Sequence, residues 1–310
     1  MYEGYLSDIS GIKVGHFQDD EAKTGVTVVL PPEGNTCAVD VRGGAPGTRE
    51  TDLLKPENSV SEVHALLLSG GSAYGLAASI GVMEALEKDG KGFDVGVGKV
   101  PIVPQAVLFD LAYGSANVRP DAEMGKKAYE NAKIGSQSQG CVGAGCGATV
   151  GKALGMEYVT KSGLGSATVT LGDLKVSALV AVNAFGEIYD AETGKQIAGV
   201  QKEGKFLRIM DLLGTMKGGF ADIEGQNTTI GIVATNATFN KTQLSKLASI
   251  THNGYARSIF PVHTLLDGDT IFALATNEVE ADLNVVGAMA TKAMSMAIAN
   301  SIYSVHGESK

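Results

Sequence analysis

The chain has 310 residues, of which 41 are Gly, and only 19% are charged; ordinary globular chains carry about 7% Gly and roughly 25% charge. Disordered and coiled-coil proteins need more charge and less Gly, and the glycines follow no G-X-Y period, so a well-packed core in one domain over 1–310 is expected. The net charge of −9, with no basic block, argues against a nucleic-acid partner, because phosphate contacts need clustered Lys and Arg.

The N-terminal MYEGYLSDISGIKVGHF lacks the basic and apolar regions of a signal peptide, which predicts a cytoplasmic protein. Short strands are expected at Thr24–Leu30 and Cys37–Val41, with a turn around Pro31-Pro32 and Gly34 and a loop over Arg42–Thr51. Ala65–Leu68 reads as a buried strand, Gly70-Gly71 as a break, and Ala73–Lys88 as a helix ended by Gly90. A second helix is expected at Asp121–Ala132. From Ser166 the pattern turns to β: SATVTL, the turn Gly172-Asp173, then LKVSALVAVN. Strands at Thr229–Thr235 and Thr270–Ala275 flank a helix around Thr242–Ile250, and a last helix covers Val285–Tyr303. The apolar run Asn284–Ile302 contains Lys292 and many small residues, which fits a buried helix and not a membrane span. Strands interleaved with one-faced helices imply layered α/β architecture.

Several segments imitate known chemistry. Gly143, Gly145 and Ala148 satisfy a loose G-x-G-x-x-A, but no strand precedes them, and Ala153 stands where a Walker A loop needs Ser or Thr. Cys37, Cys141 and Cys146 lack the paired spacing of a zinc site and fit a reduced protein, so neither metal nor cofactor is expected. LLLSGGSAYG resembles a nucleophile elbow at Ser72, yet Tyr74 replaces the required Gly. Gly70, Gly71 and Ser72 either pack a helix closely on a sheet or offer backbone N–H groups to an oxyanion or substrate carboxylate.

Glu224–Asn236, EGQNTTIGIVATN, is more informative. A polar loop ends at Asn227 and a buried strand starts with Thr228. A hydroxyl in that place can attack the preceding carbonyl and cut the chain by an N→O acyl shift. The new N-terminal Thr would hold both nucleophile and base, since a free α-amine has a pKa of about 7.7–8.0. A turn before a strand would explain the same residues.

The remaining motifs favour the first alternative. IKVGH, VDVRGGAPGTRETDLL, HALLLSGGSAYGLAA, VGAGCGATVGK, KSGLGSA, VNAFGEI, NTTIGIVATNA and HTLLDGDTIFALAT, spread over nearly the whole chain, resemble the DmpA-type family of self-processing hydrolases. That family includes D-aminopeptidases, β-aminopeptidases and nylon-oligomer hydrolases. The resemblance implies a four-layer αββα sandwich, shared with ornithine acetyltransferases and similar to N-terminal nucleophile hydrolases. It implies cleavage between Asn227 and Thr228 into an α chain (1–227) and a β chain (228–310), with Thr228 as nucleophile for processing and catalysis. Asn183 matches the family's oxyanion Asn, Lys161 a Lys near the nucleophile, and Asp267 and Asp269 an acidic pair that orients the amine. A catalytic Tyr in some members corresponds here to Tyr113 or to Phe109, and Cys146 stands where relatives often have Thr. The implied substrate is a short peptide or related amide with a free amino terminus, admitted by an acidic recess. The implied assembly is a homo-oligomer, a tetramer or larger. Acyl transfer of the ornithine acetyltransferase type and an unprocessed metabolite-binding protein are the competing expectations.

Overall fold

Ten strands form two five-stranded sheets in the computed structural model, which describes residues 1–214 and 227–307. The first sheet orders β1 (Lys13–Asp19), β2 (Thr24–Leu30), β5 (Leu66–Ser69), β6 (Gln105–Val107) and β4 (Thr48–Arg49). The second orders β7 (Leu164–Leu171), β8 (Leu174–Asn183), β9 (Thr228–Ala237), β10 (Thr270–Val279) and β3 (Thr36–Val41). Successive side chains of a strand face opposite ways, and the sequence uses both faces. Val29, Leu66, Leu68, Ile230, Ile232, Ala234, Phe272 and Leu274 meet between the sheets. Val26, Val28, Leu30 and Leu67 point outward to α1 (Ala78–Lys88) and α2 (Ala122–Glu130). On the far side, Val176, Ala178, Val180, Val233 and Ala273 pack against α3 (Lys241–Ser258) and α4 (Leu283–His306). The result is the expected αββα sandwich. Both faces of both sheets are covered, which is why the strands read as continuous apolar runs.

Local sequence explains the helix limits. Asp121 caps α2 by accepting from the Met124 N–H, Asn240 and Gln243 form a reciprocal capping box on α3, and Asp282 caps α4. The helix expected from Ala73 begins instead as a 3-10 turn, Ser72–Ala77, because Gly71 and Ser72 both adopt positive φ and bend the chain before the α-helix starts. α3 continues eight residues past the expected Ile250. Its Gly254 lies against Met294 and Thr291 of α4, so a residue that lowers helix propensity is kept for close helix contact. α4 has the length and apolar composition of a membrane span, but most of it is buried against α3 and the second sheet. β1 and β6 had no clear signal: β1 mixes His, Gln and Asp with apolar residues, and β6 has three residues. The loop expected at 224–226 lies outside the described residues.

An exposed helical Gly→Ala change normally stabilises by about 1 kcal/mol. At Gly254 the added Cβ would come 2.8 Å from Met294 Cβ and 2.9 Å from the Thr291 carbonyl oxygen. Gly254→Ala should therefore destabilise by about 1–3 kcal/mol in chemical denaturation; a stabilised variant would contradict the close packing of α3 on α4.

Candidate active site

β-sheet register brings the junction residues to one place. β8 and β9 pair antiparallel from Val176 opposite Thr235 to Asn183 opposite Thr228, so the last residue of one strand faces the first of the other. β10 runs parallel to β9 on its other side, and Asn227 forms a bridge with Asp267 just ahead of it. The Thr228 hydroxyl donates to the carbonyl oxygen of Asn227, and the Gly268 N–H donates to that same oxygen at 3.2 Å. A side-chain hydroxyl and a backbone amide thus converge on one peptide carbonyl. Thr228 is 5% exposed, and the Asn227 side-chain amide is buried without a hydrogen-bond partner among the described residues. Gly268 permits this approach: a Cβ there would lie 3.0 Å from Thr228 Oγ1 and 2.9 Å from the Ala45 carbonyl oxygen.

The acidic pair frames the junction from β10. Asp269 Oδ1 accepts from the Thr229 N–H at 2.8 Å, and its Oδ2 accepts from His263. Asp267 Oδ2 accepts from the Thr264 N–H at 2.7 Å. Burial, and then the neighbouring Asp269 charge, push the Asp267 carboxyl up to about 6. The RGGAPG loop holds this segment by its backbone: Arg42 and Gly43 donate to the Asp269 carbonyl, and Ala45 donates to that of Asp267.

Asn183 links the junction to a lysine, though not the one expected. Its Oδ1 accepts from the Thr149 N–H at 3.1 Å and from Lys152 Nζ at 2.8 Å, and Lys152 also donates to the Asn183 carbonyl at 2.9 Å. Asn183 Nδ2 donates to the Phe109 carbonyl. Lys152 is fully buried, which lowers its pKa to about 7 against the opposing pull of Asp267 and Asp110. Lys161, the sequence's candidate, instead donates to the carbonyls of Gly145, Ala148 and Ser162. It clamps the loop that carries Thr149 and Lys152 and makes no hydrogen bond to Asn183. Lys152, the single charge in GATVGKALG, was missed because its burial beside Asn183 is a property of the tertiary fold.

A second correction concerns residues 70–72. Their N–H groups are already used: Gly70 donates to the Gly25 carbonyl, Gly71 to Asp110 Oδ1 and Ser72 to the Leu108 carbonyl. These three amides are therefore not oxyanion donors in this structure. Of the three, only the Gly71 amide holds Asp110, a buried carboxyl raised by burial that also accepts from Thr24. A Cβ at Gly70 would sit 1.9 Å from Asp110 Oδ2, so only Gly fits there. Of the two Tyr candidates, Phe109 touches Asn183 through its backbone, whereas the Tyr113 ring lies 5.6 Å from Lys161 Nζ. Cys146 is buried, with its thiol pushed up to about 11 by burial, and is not poised to react.

The glycine-rich segments do gather here, in layers. RGGAPG abuts Asp267, Gly268 and Asp269, the 143–152 loop reaches Asn183, KSGLG pairs with Gly140 and Val182, and residues 70–71 hold Asp110. Among the described residues, the void bounded by Phe109, Asp110, Thr149 and Lys152 is about 10 Å³, smaller than a water needs. The larger surface hollows, about 570 and 620 Å³, contain none of these residues. Among the described residues, acidic groups line the junction.

The family model described as Peptidase family S58 matches residues 5–307. An uncharacterized aminopeptidase of Mycobacterium leprae is 46% identical over 89% of this chain and 79% of its own length. A 6-aminohexanoate-oligomer endohydrolase of Paenarthrobacter ureafaciens is 34% identical over 88% of this chain and 75% of its own. The solved L-aminopeptidase D-Ala-esterase/amidase of Ochrobactrum anthropi, described as a variant of the Ntn hydrolase fold, superposes with a TM-score of 0.72. It covers 97% of this chain and 86% of that one at 18% identity, a likeness of fold.

The raised Asp267 carboxyl has a signed consequence for stability. The unfolded carboxyl loses its proton near 3.8 and the folded one near 6, so stability falls as pH rises between these values and stays reduced above them. In a Thr228→Ala background, Asp267→Asn removes this cost. It should be more stable than its parent by about 1–3 kcal/mol at pH 8, with the difference shrinking towards pH 4. Melting curves across that range check it; a pH-independent difference would contradict the buried, charge-coupled state of Asp267.

Proposed function

The chain belongs to Peptidase family S58 and is a hydrolase of peptide or amide bonds; we propose that it first cuts itself between Asn227 and Thr228 and then works through an acyl-Thr228 ester. The observation that carries this reading is the Thr228 hydroxyl resting on the Asn227 carbonyl, with the Gly268 N–H on the same oxygen. In processing, Thr228 Oγ1 bonds to the Asn227 carbonyl carbon, and the charge that develops on oxygen meets the Gly268 N–H. The C–N bond then breaks, Thr228 nitrogen takes a proton, and water hydrolyses the ester to an Asn227 carboxylate and a free Thr228 amine.

Before the cut, Thr228 nitrogen is an amide and cannot accept the hydroxyl proton. Lys152 can, because burial makes a neutral amine available near pH 7 and its contacts place it on Asn183, across from Thr228. After the cut, the α-amine assumes that role, with Asp267 and Asp269 beside it, and Asn183 and Lys152 face the oxyanion of the substrate. The names of the relatives point to a substrate with a free amine, a short peptide or a linear amino-amide. Family membership favours hydrolysis over the acyl-transfer alternative. Assembly into a tetramer or larger and a cytoplasmic location belong to the same reading; among the described residues Cys37, Cys141 and Cys146 are all unbridged.

Denaturing gels of purified protein should show bands of about 23 and 8 kDa, pro rata from 31.9 kDa, whereas Thr228→Ala stays whole. A wild-type chain that remains whole yet hydrolyses amides would end this mechanism. Lys152→Met should slow processing by about 10²–10⁴-fold. In the wild type, the processing rate should rise with pH through about 7, as Lys152 loses its proton, and then level off; a rate that falls across that range would exclude Lys152 as the proton acceptor.

A further inference from the structure

We propose that His263 is a positioning residue that sets the nucleophile's backbone through Asp269. The proposal rests on Thr228 being the nucleophile. Asp269 is a two-sided bracket. Its Oδ1 takes the Thr229 N–H, the peptide group directly after the nucleophile, at 2.8 Å. Its Oδ2 takes both the backbone N–H of His263 at 3.1 Å and the ring Nδ1 at 2.8 Å. A carboxylate accepts and does not donate, so Nδ1 carries the proton. Any rotation of the Asp269 carboxylate would move the Thr229 peptide and with it the plane from which Thr228 Oγ1 approaches its target.

The ring is built into this place. His263 adopts φ +56°, uncommon for residues other than Gly and, among them, reached most often by Asn, Asp and His. Its ring stacks on Tyr255 at 6.0 Å and meets His252 edge-on at 4.8 Å, both fully buried residues of α3. His252 is held in turn by its Nε2, 3.2 Å from the Asp40 carbonyl oxygen of β3. His263 Nε2 is buried with no hydrogen-bond partner among the described residues, so the ring's one polar contact is with Asp269. A ring chosen only to fill space would not need its nitrogen on that carboxylate, and a ring acting on substrate would need Nε2 exposed.

The test uses the full-length chain with three substitutions. Asn can place Nδ2 where the ring holds Nδ1 and tolerates positive φ; Gln is similar in size but puts its amide where Nε2 lies; Ala removes the donor. His263→Ala and His263→Gln should process at least about tenfold more slowly. Once processed, they should show a similar fall in kcat with KM unchanged. His263→Asn should remain within about threefold of the wild type in both. Wild-type rates in a folded His263→Ala protein would overturn the proposal. If the Ala variant does not fold, equal losses in the Asn and Gln variants at matched melting temperature would do the same. Thr228→Ala in parallel separates the two claims: processing that survives it refutes the nucleophile itself, whereas processing abolished there but unaffected at His263 refutes only the positioning role.

Discussion

The register between β8 and β9 is the constraint on which the site depends. Asn183 stands opposite Thr228 because every pair from Val176 and Thr235 onward is in step. Shifting β9 by one residue would turn Ile230, Ile232 and Ala234 away from the inter-sheet core and Val233 into it. The hydrophobic core therefore specifies, to a single residue, which side chain begins the strand at the site. Packing of two sheets, each covered by helices, thereby places Thr228 opposite Asn183.

Around that pair the chain concentrates charge where apolar layers leave little water. Asp267, Asp269, Asp110 and Lys152 are all buried; burial raises the carboxyls of Asp267 and Asp110 and lowers Lys152. Each is bound by backbone or side-chain partners, so the cost of burial is offset in part by hydrogen bonds. What this arrangement gains is a lysine and a carboxyl that change protonation near neutral pH, as acid–base chemistry requires.

Much of this was legible in the residues alone, and the failures have physical causes. Strands buried on both faces, the Asn227-Thr228 junction, Asn183 and the Asp267-Gly268-Asp269 turn all declare themselves through local pattern or resemblance. Lys161 and Lys152 could not be told apart that way, because each sits beside a glycine-rich stretch and only the tertiary path of the 143–152 loop decides which amine reaches Asn183. The amides of residues 70–72 looked available since their acceptors, Asp110, Leu108 and Gly25, are remote in sequence. His263 drew no notice as one of five scattered histidines; its meaning comes from a carboxylate six residues on and an aromatic pair on α3. The glycine excess, by contrast, finds a specific cause at Gly268 and Gly70, where side-chain atoms of the site occupy the space a Cβ would need.

The central claim is that Thr228, freed as an N-terminal residue, carries the acyl group during turnover. Its most direct test is to quench the processed enzyme during hydrolysis of a slow amide or ester substrate and weigh the two chains by intact-mass spectrometry. The account predicts an adduct of the substrate's acyl mass on the smaller chain alone, mapped by fragmentation to Thr228 at its N-terminus. An adduct on the larger chain, or a smaller chain that begins at any other residue, would contradict it.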